Sequence, residues 1–142
     1  MDAFINILLA DDDIDEHIFF KEAINKINVI GHNVISVYDG VQLLDYMQRK
    51  GSYKNSKGPT PDLIILDLNM PIMDGFNTVK EIKAIDEHSD IPIYVLSTSS
   101  NVTHVNTCRQ LGCAGYFQKV LKNDKLTSII ETILEKEASR TA

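Results

Sequence analysis

Three aspartates in this chain could hold a metal ion and present a nucleophile beside it. Asp11 and Asp12 open the acidic run that follows the apolar stretch ILLA, and Asp67 follows the apolar stretch LIIL. Mg²⁺ is a small, hard cation that is usually held by one or two carboxylates together with water and phosphate oxygens. A carboxylate beside such an ion can attack phosphorus and form an aspartyl-phosphate. Bound Mg²⁺ would relieve the repulsion among the three carboxylates, and Asp67 is the candidate nucleophile.

Two further polar residues follow apolar runs and could contact a phosphoryl group. Ser97 ends the run YVLS and can donate a hydrogen bond. Lys119 follows GYFQ and can pair with a phosphoryl oxygen as a point charge. Asn69, two residues after Asp67, can offer its backbone carbonyl to the metal. Carboxylates, a hydroxyl and an ammonium group thus follow four different apolar runs, and this pattern predicts one composite site.

A parallel sheet is the element that could bring these residues together. The short apolar runs are rich in Ile, Val, Leu or Tyr, which is typical of strands buried on both faces, and segments of helical period alternate with them. This alternation predicts an α/β fold with an open, doubly wound sheet, since a closed eight-stranded barrel needs about 250 residues. Parallel strands end at one edge, where ligands bind. The predicted strands are Ile5–Ala10, Val34–Val37, Leu63–Leu66, Ile93–Leu96 and Tyr116–Phe117.

The bulk composition limits the classes of partner. The chain has 142 residues, which suits one domain, and its net charge of −6 disfavours binding to nucleic acid or to an anionic membrane. No apolar run approaches the roughly 20 residues of a membrane helix, and no secretory signal is visible. We therefore expect a cytoplasmic protein in which the two cysteines, Cys108 and Cys113, are reduced.

Four stretches make the chain resemble a response-regulator receiver domain: LLADDD, PDLIILDLNMPIMDG, YVLSTSS and GYFQK. Their order and spacing fit a single domain over residues 1–142, with its core at about 4–138 and no output domain. The resemblance implies a flavodoxin-like sheet of five parallel strands in the order 2-1-3-4-5 with five helices. A narrower resemblance is to single-domain regulators, both the chemotaxis regulator and those that serve phytochrome-type kinases.

The resemblance also implies a function for each candidate residue. It implies two-component signalling in which a sensor histidine kinase or a phosphotransfer protein donates a phosphoryl group with Mg²⁺ bound. A surface over the fourth helix and the last two strands would then dock an unidentified downstream protein. No enzyme activity is expected beyond assistance to its own phosphorylation and dephosphorylation, and the oligomeric state, a homodimer included, stays open. Position by position, the family's site residues correspond to Asp67 (phosphorylated aspartate), Asp11 and Asp12 (acidic metal pair), Asn69 (carbonyl ligand), Ser97 and Tyr116 (switch residues) and Lys119 (site lysine).

One position departs from the family pattern. The site lysine is usually followed by proline through a cis bond, whereas Lys119 precedes Val120. Because a cis bond before a residue other than proline costs about 2.5–4 kcal/mol, we predict a trans Lys119–Val120 bond and a shifted loop after it.

Other functions or roles would use some of the same residues. Asp13 with Glu16 three residues later predicts a capping box at the start of the first helix rather than metal ligation. A calcium loop beginning at Asp11 would need glycine where Glu16 stands. A phosphohydrolase of the aspartyl-phosphate type would need a second acid in place of Asn69 and a cap domain. A flavin-binding module would need a hydroxyl-rich loop, not acids, after the first strand. The four histidines fit no catalytic motif and are interpreted as surface or structural.

Overall fold

Five strands and five α-helices alternate along the part of the chain that the computed structural model describes, residues 4–27, 31–99, 101–119 and 123–141. The strands are β1 (Phe4–Ala10), β2 (Gly31–Val37), β3 (Leu63–Leu66), β4 (Ile93–Ser97) and β5 (Gly115–Gln118). The helices are α1 (Ile14–Asn25), α2 (Gly40–Gln48), α3 (Gly75–Lys83), α4 (Val102–Gln110) and α5 (Asn123–Thr141). All strands pair in parallel in the order β2-β1-β3-β4-β5, which confirms the predicted doubly wound fold.

The sheet separates two apolar clusters, because successive side chains of a strand point to opposite faces. One cluster packs Leu8 and Ile64 against residues of α2, α3 and α4, and the other packs Ile7 and Leu63 against residues of α1 and α5. A buried hydrogen bond from the Tyr94 hydroxyl to the Glu137 carboxylate adds a polar tie between β4 and α5. Burial of each such Leu or Ile side chain contributes about 1.5–3 kcal/mol, so the two clusters fix the strands in place.

The strand register sets the position of the candidate site. Ala10 of β1 pairs with Leu66 of β3, and Leu66 pairs with Val95 of β4. The residues that follow these strands therefore leave the sheet side by side. Asp11 and Asp67, each one position beyond the paired residues, consequently lie at the same edge.

The segment between α2 and β3 contains a short 3-10 helix, Gly51–Tyr53, which the sequence pattern did not predict. The hydroxyl of Tyr46 donates a hydrogen bond of 2.7 Å to the Pro59 carbonyl, and the Arg49 guanidinium donates one of 2.5 Å to the Gly58 carbonyl. These bonds tie the segment to α2, at the edge opposite the strand carboxyl ends. Among the described residues, no helix is both long enough and apolar enough to span a bilayer.

Candidate functional site

The carboxyl edge of the sheet brings three carboxylates together. One carboxylate oxygen from each of Asp11, Asp12 and Asp67 lies within 4.8 Å of the other two. Asp11 and Asp67 are buried, whereas Asp12 is exposed. The cluster predicted from the strand ends is therefore formed, and Asp12 gives it a side that solvent reaches.

Hydrogen bonds within the loop after β1 fix the orientation of Asp11. The amide of Asp13 donates to the Asp11 carboxylate at 3.0 Å, and the Nε2 atom of His17 lies 2.8 Å from the Asp11 carbonyl oxygen. Asp13 caps α1 as predicted, with its carboxylate accepting from the Asp15 amide at 2.9 Å. The second half of the predicted capping box is absent, because Asp11 already uses the Asp13 amide.

Lys119 is the cation of the site. Its Nζ atom lies 2.5 Å from Asp11 Oδ2, 3.7 Å from Asp67 Oδ2 and 3.9 Å from Glu16 Oε2. Burial alone would lower the pKa of Lys119, but the hydrogen bond and charge of Asp11 and the charges of Asp67 and Glu16 outweigh it and raise that pKa. The ammonium group therefore stays charged at neutral pH.

Val120 lies outside the described residues, and so does the predicted trans bond before it.

The electrostatics of Asp67 favour a bound cation. The pKa of Asp67 is raised from 3.8 to about 6. Burial is the largest cause, and the charges of Asp11 and Asp12 also raise this pKa, whereas the charge of Lys119 and a hydrogen bond from the Asn69 amide lower it. The net result is a carboxylate that is harder to ionise than an isolated one. A divalent cation among the three carboxylates would offset both the burial and the repulsion, so the donor set fits a hard metal ion.

The turn between β3 and α3 holds Asp67 and Asn69 close to the helix start. The Gly75 amide donates to the Leu68 carbonyl at 2.9 Å, and Asp74 caps α3 by accepting from the Asn77 amide at 2.9 Å. A Cβ atom at Gly75 would lie 2.7 Å from the Leu68 Cα and 2.8 Å from the Asp67 carbonyl oxygen. Both neighbours are backbone atoms, so this turn requires glycine.

Ser99 links the two residues to which the family resemblance assigns a switch role. The fully buried Ser97 hydroxyl accepts from the Ser99 amide at 3.2 Å, and the Tyr116 hydroxyl donates to the Ser99 carbonyl at 2.5 Å. The Ser99 hydroxyl lies 2.9 Å from Nδ1 of His104, whose ring meets the Phe76 ring edge-on. Ser97 and Tyr116 thus share one loop as their partner.

Three residues of this neighbourhood were not predicted as part of the site. Glu16 was assigned only to the helix start and His17 only a structural or surface role, yet one lies near Lys119 and the other holds the Asp11 carbonyl. Ser99 had no assigned role. Glu16 and His17 lie in the first turn of α1, close in sequence to Asp11 and Asp12. This closeness is the feature of the sequence that could have indicated a role at the site.

Comparison with known proteins gives consistent matches over most of the chain. A family model described as response regulator receiver domain matches residues 7–131. The response regulator Rcp1 of Synechocystis sp. is 34% identical over 127 residues, which cover 89% of this chain and 84% of Rcp1.

Two solved structures superimpose closely. The manganese-bound form of response regulator Rcp1 is 32% identical and has a TM-score of 0.81, with 91% of each chain covered. The phosphorylated cyanobacterial phytochrome response regulator RcpA is 33% identical and has a TM-score of 0.84, with 94% of this chain and 93% of the other covered.

Proposed function

Since this chain belongs to the response regulator receiver family of two-component signalling, we propose that Asp67 accepts a phosphoryl group from a histidine kinase or a phosphotransfer protein. The observation that carries the proposal is the setting of Asp67, a buried carboxylate within 4.8 Å of oxygens of Asp11 and Asp12 and 3.7 Å from the Lys119 ammonium. Within the described ranges, this is the one group of three carboxylates close enough to share a metal ion.

We infer that the metal is Mg²⁺, held by Asp11, Asp12, Asp67 and the backbone carbonyl of Asn69. The support is chemical: the donors are oxygens, two of the carboxylates are buried, and Mg²⁺ is a hard cation that prefers such ligands. A relative solved in a manganese-bound form supports the binding of a divalent ion without selecting the element. When bound, the ion would offset the negative charge of the carboxylates and of the incoming phosphoryl group.

The residues of the chain would then perform the transfer. A carboxylate oxygen of Asp67 forms a bond to phosphorus while the bond from phosphorus to the donor histidine nitrogen breaks. Lys119, now paired with Asp11, needs only a small movement to meet a phosphoryl oxygen on Asp67, since Asp67 is 3.7 Å away. The Ser97 hydroxyl donates a hydrogen bond to another phosphoryl oxygen. Positioning and charge thus supply the catalysis, and no further enzyme activity is proposed.

Phosphorylation would reach the partner surface through Ser99. A Ser97 hydroxyl that turns toward the phosphoryl group no longer accepts from the Ser99 amide. The loop could then move, and the Tyr116 hydroxyl, which is bonded to the Ser99 carbonyl, could turn inward. This change would favour a second conformation of the surface over α4, β4 and β5, where an unidentified cytoplasmic partner protein docks.

Phosphorylation by a small donor tests the proposal directly. The protein is incubated with Mg²⁺ and acetyl phosphate and analysed by intact mass spectrometry. We expect one phosphoryl adduct in the wild type and none in Asp67→Asn. Asp74→Asn is the matched control, because Asp74 is an exposed carboxylate near Asp67 and Asn caps a helix as well as Asp does. An adduct that persists in Asp67→Asn would refute the assignment of the acceptor.

A second assay separates the switch from a hydrolytic enzyme. A phosphohydrolase would release phosphate from phosphomonoesters over many turnovers, whereas a receiver domain would not. We expect no phosphate release above the level of Asp67→Asn. Sustained turnover that Asp67→Asn abolishes would instead assign the same carboxylate to an enzyme.

A further inference from the structure

The two cysteines occupy contacting positions at the end of α4. Gly112 has a left-handed φ of +86° and its amide donates to the Arg109 carbonyl at 3.1 Å, while the Cys113 amide donates to the Cys108 carbonyl at 3.0 Å. This pair of bonds is the Schellman motif, in which the side chains at the two ends of the longer bond meet. Cys113 accordingly packs against the apolar cluster that contains Cys108, and both side chains line the same cavity.

The thiol pair is accessible to a small oxidant. Cys108 is buried and Cys113 is half-buried. Both cysteines line a cavity of about 330 Å³, together with Val105, Arg109 and Tyr116. A molecule the size of water or hydrogen peroxide fits such a space, so burial does not isolate the pair.

The surroundings give the two thiols different reactivity. The hydrogen bond from Cys108 lowers the pKa of Cys113, and the positive charge of Lys83 adds to this effect against the opposing effect of burial. The hydrogen bond to Cys113 and burial raise the pKa of Cys108. Because Cys113 is the less buried of the two thiols and the charge of Lys83 favours its thiolate, Cys113 is the nucleophile of the pair and Cys108 is the thiol that follows it.

We propose that Cys108 and Cys113 are a redox modification site that hydroperoxides convert to a reversible intrachain disulfide. The Cys113 thiolate attacks a peroxide oxygen, so that an S–O bond forms and the O–O bond breaks. A sulfenic acid results, and the departing oxygen leaves as water after taking a proton. The Cys108 sulfur then loses its proton and attacks the Cys113 sulfur, so that the S–S bond forms and the S–O bond breaks with release of a second water. Two thiols lose two electrons in total, and one hydrogen peroxide gains them.

The disulfide would join the last turn of α4 to the start of β5. Tyr116 lies three residues after Cys113 in β5 and lines the same cavity, so the bond would restrict the part of the chain that leads to this residue. A transient disulfide of this kind is the type that redox sensing uses in reducing compartments. It needs neither Asp67 nor a metal ion, and it is therefore independent of the phosphoryl-acceptor proposal.

Peroxide titration of the reduced, folded protein tests the site. Intact mass spectrometry of the wild type should show loss of two hydrogens, and dithiothreitol should reverse this change fully. A non-reducing gel of the same sample should show no dimer. With dimedone present, Cys108→Ala should give a trapped sulfenic acid at Cys113, whereas Cys113→Ala should stay unmodified at the same peroxide dose. Lys83→Met should slow the wild-type reaction several-fold. Asp67→Asn should form the disulfide at the wild-type rate.

Three results would overturn the proposal. The first is wild-type protein that reacts no faster than Cys113→Ala. The second is disulfide found only between two chains, and the third is stepwise oxygen addition at Cys113 without loss of the Cys108 thiol. Because Asp67→Asn is scored in the same assay, failure here is distinguishable from failure of the phosphoryl-acceptor assignment.

Discussion

The carboxylate of Asp67 lies where few water molecules can reach it, with other acids nearby. Burial is the largest contribution to its pKa of about 6, and Lys119 compensates only in part. The folded protein without metal therefore binds a proton at Asp67 more tightly than the unfolded chain does. Such a group reduces stability in its ionised form, so its burial is not explained by folding and is consistent with the proposed chemical role.

Asp67→Asn should stabilise the protein in buffer that contains a metal chelator. A raised carboxylate pKa means that the ionised group costs stability above about pH 6, and that this cost fades as pH falls towards 3.8. The gain from Asp67→Asn should thus be largest above pH 6, at about 1–2 kcal/mol because water at the rim screens part of the repulsion. Urea denaturation of both proteins between pH 4.5 and 8 (about 1.5 pH units below and 2 above that pKa) measures it. A gain that grows as pH falls would contradict this account.

Lys119→Met should destabilise the same metal-free protein. Removal of the ammonium leaves the buried carboxylates of Asp11 and Asp67 without their nearby cation, and we expect a loss of about 2 kcal/mol. Lys125→Met is the matched control, because Lys125 is exposed at the start of α5 and should change stability by less than about 0.5 kcal/mol. Equal effects of the two substitutions, measured by urea denaturation, would show that the ion pairs are not important for stability.

The acids of the site could be predicted from the sequence, whereas some of their partners could not. Asp11 and Asp67 each follow an apolar run, and a parallel sheet brings such positions to one edge. The contact of Ser99 depends on a loop that must first meet Tyr116 of β5, and the contact of Glu16 depends on the reach of Lys119, which follows β5. Neither contact can be recognised from the pattern of apolar residues in the sequence.

At the scale of elements, β3, the strand that precedes Asp67, was predicted with its observed bounds and β2 was not. Leu63–Leu66 is buried at every position, so its apolar pattern defines both ends. The strand β2 begins at Gly31, three residues before the predicted Val34, because Gly31 and His32 pair with Phe4 and Ile5 of β1. The extension of β2 depends on backbone pairing with β1, and backbone pairing cannot be read from the pattern of apolar side chains.

Gly75→Ala should disturb the turn that places Asp67. The added methyl would lie within 3 Å of two backbone atoms, neither of which can rotate away, and we expect a loss of about 2 kcal/mol in unfolding free energy. Mg²⁺ affinity should also fall, since Asp67 and Asn69 would shift. Lys80→Ala, an exposed substitution in the same helix, serves as the control, and calorimetric titration with Mg²⁺ is the measurement. Unchanged affinity in Gly75→Ala would mean that the turn does not set the site geometry.

At the scale of the whole molecule, a bound ion should raise the global stability. A ligand that binds only the folded state adds about 2.7 kcal/mol at a concentration 100 times its Kd. Mg²⁺ should therefore raise the Tm of the wild type, and the chelator EDTA should reverse the rise. Asp12→Asn should abolish the response while leaving the metal-free Tm nearly unchanged, because Asp12 is exposed. Asp13 is an adjacent exposed acid outside the cluster, and the Asp13→Asn variant should respond to Mg²⁺ as the wild type does. Loss of the Mg²⁺ response in Asp13→Asn would contradict the assigned ligands.

The contact between Lys119 and Asp11 joins residues 108 positions apart. Closure of so long a loop costs chain entropy, which only the intervening strand pairing can offset. We therefore expect the proposed acceptor site to be completed late in folding, after the strands between its two halves have paired. A chain that is still without Lys119 would then be unable to present the full site to a phosphoryl donor, and this limit would follow from topology alone.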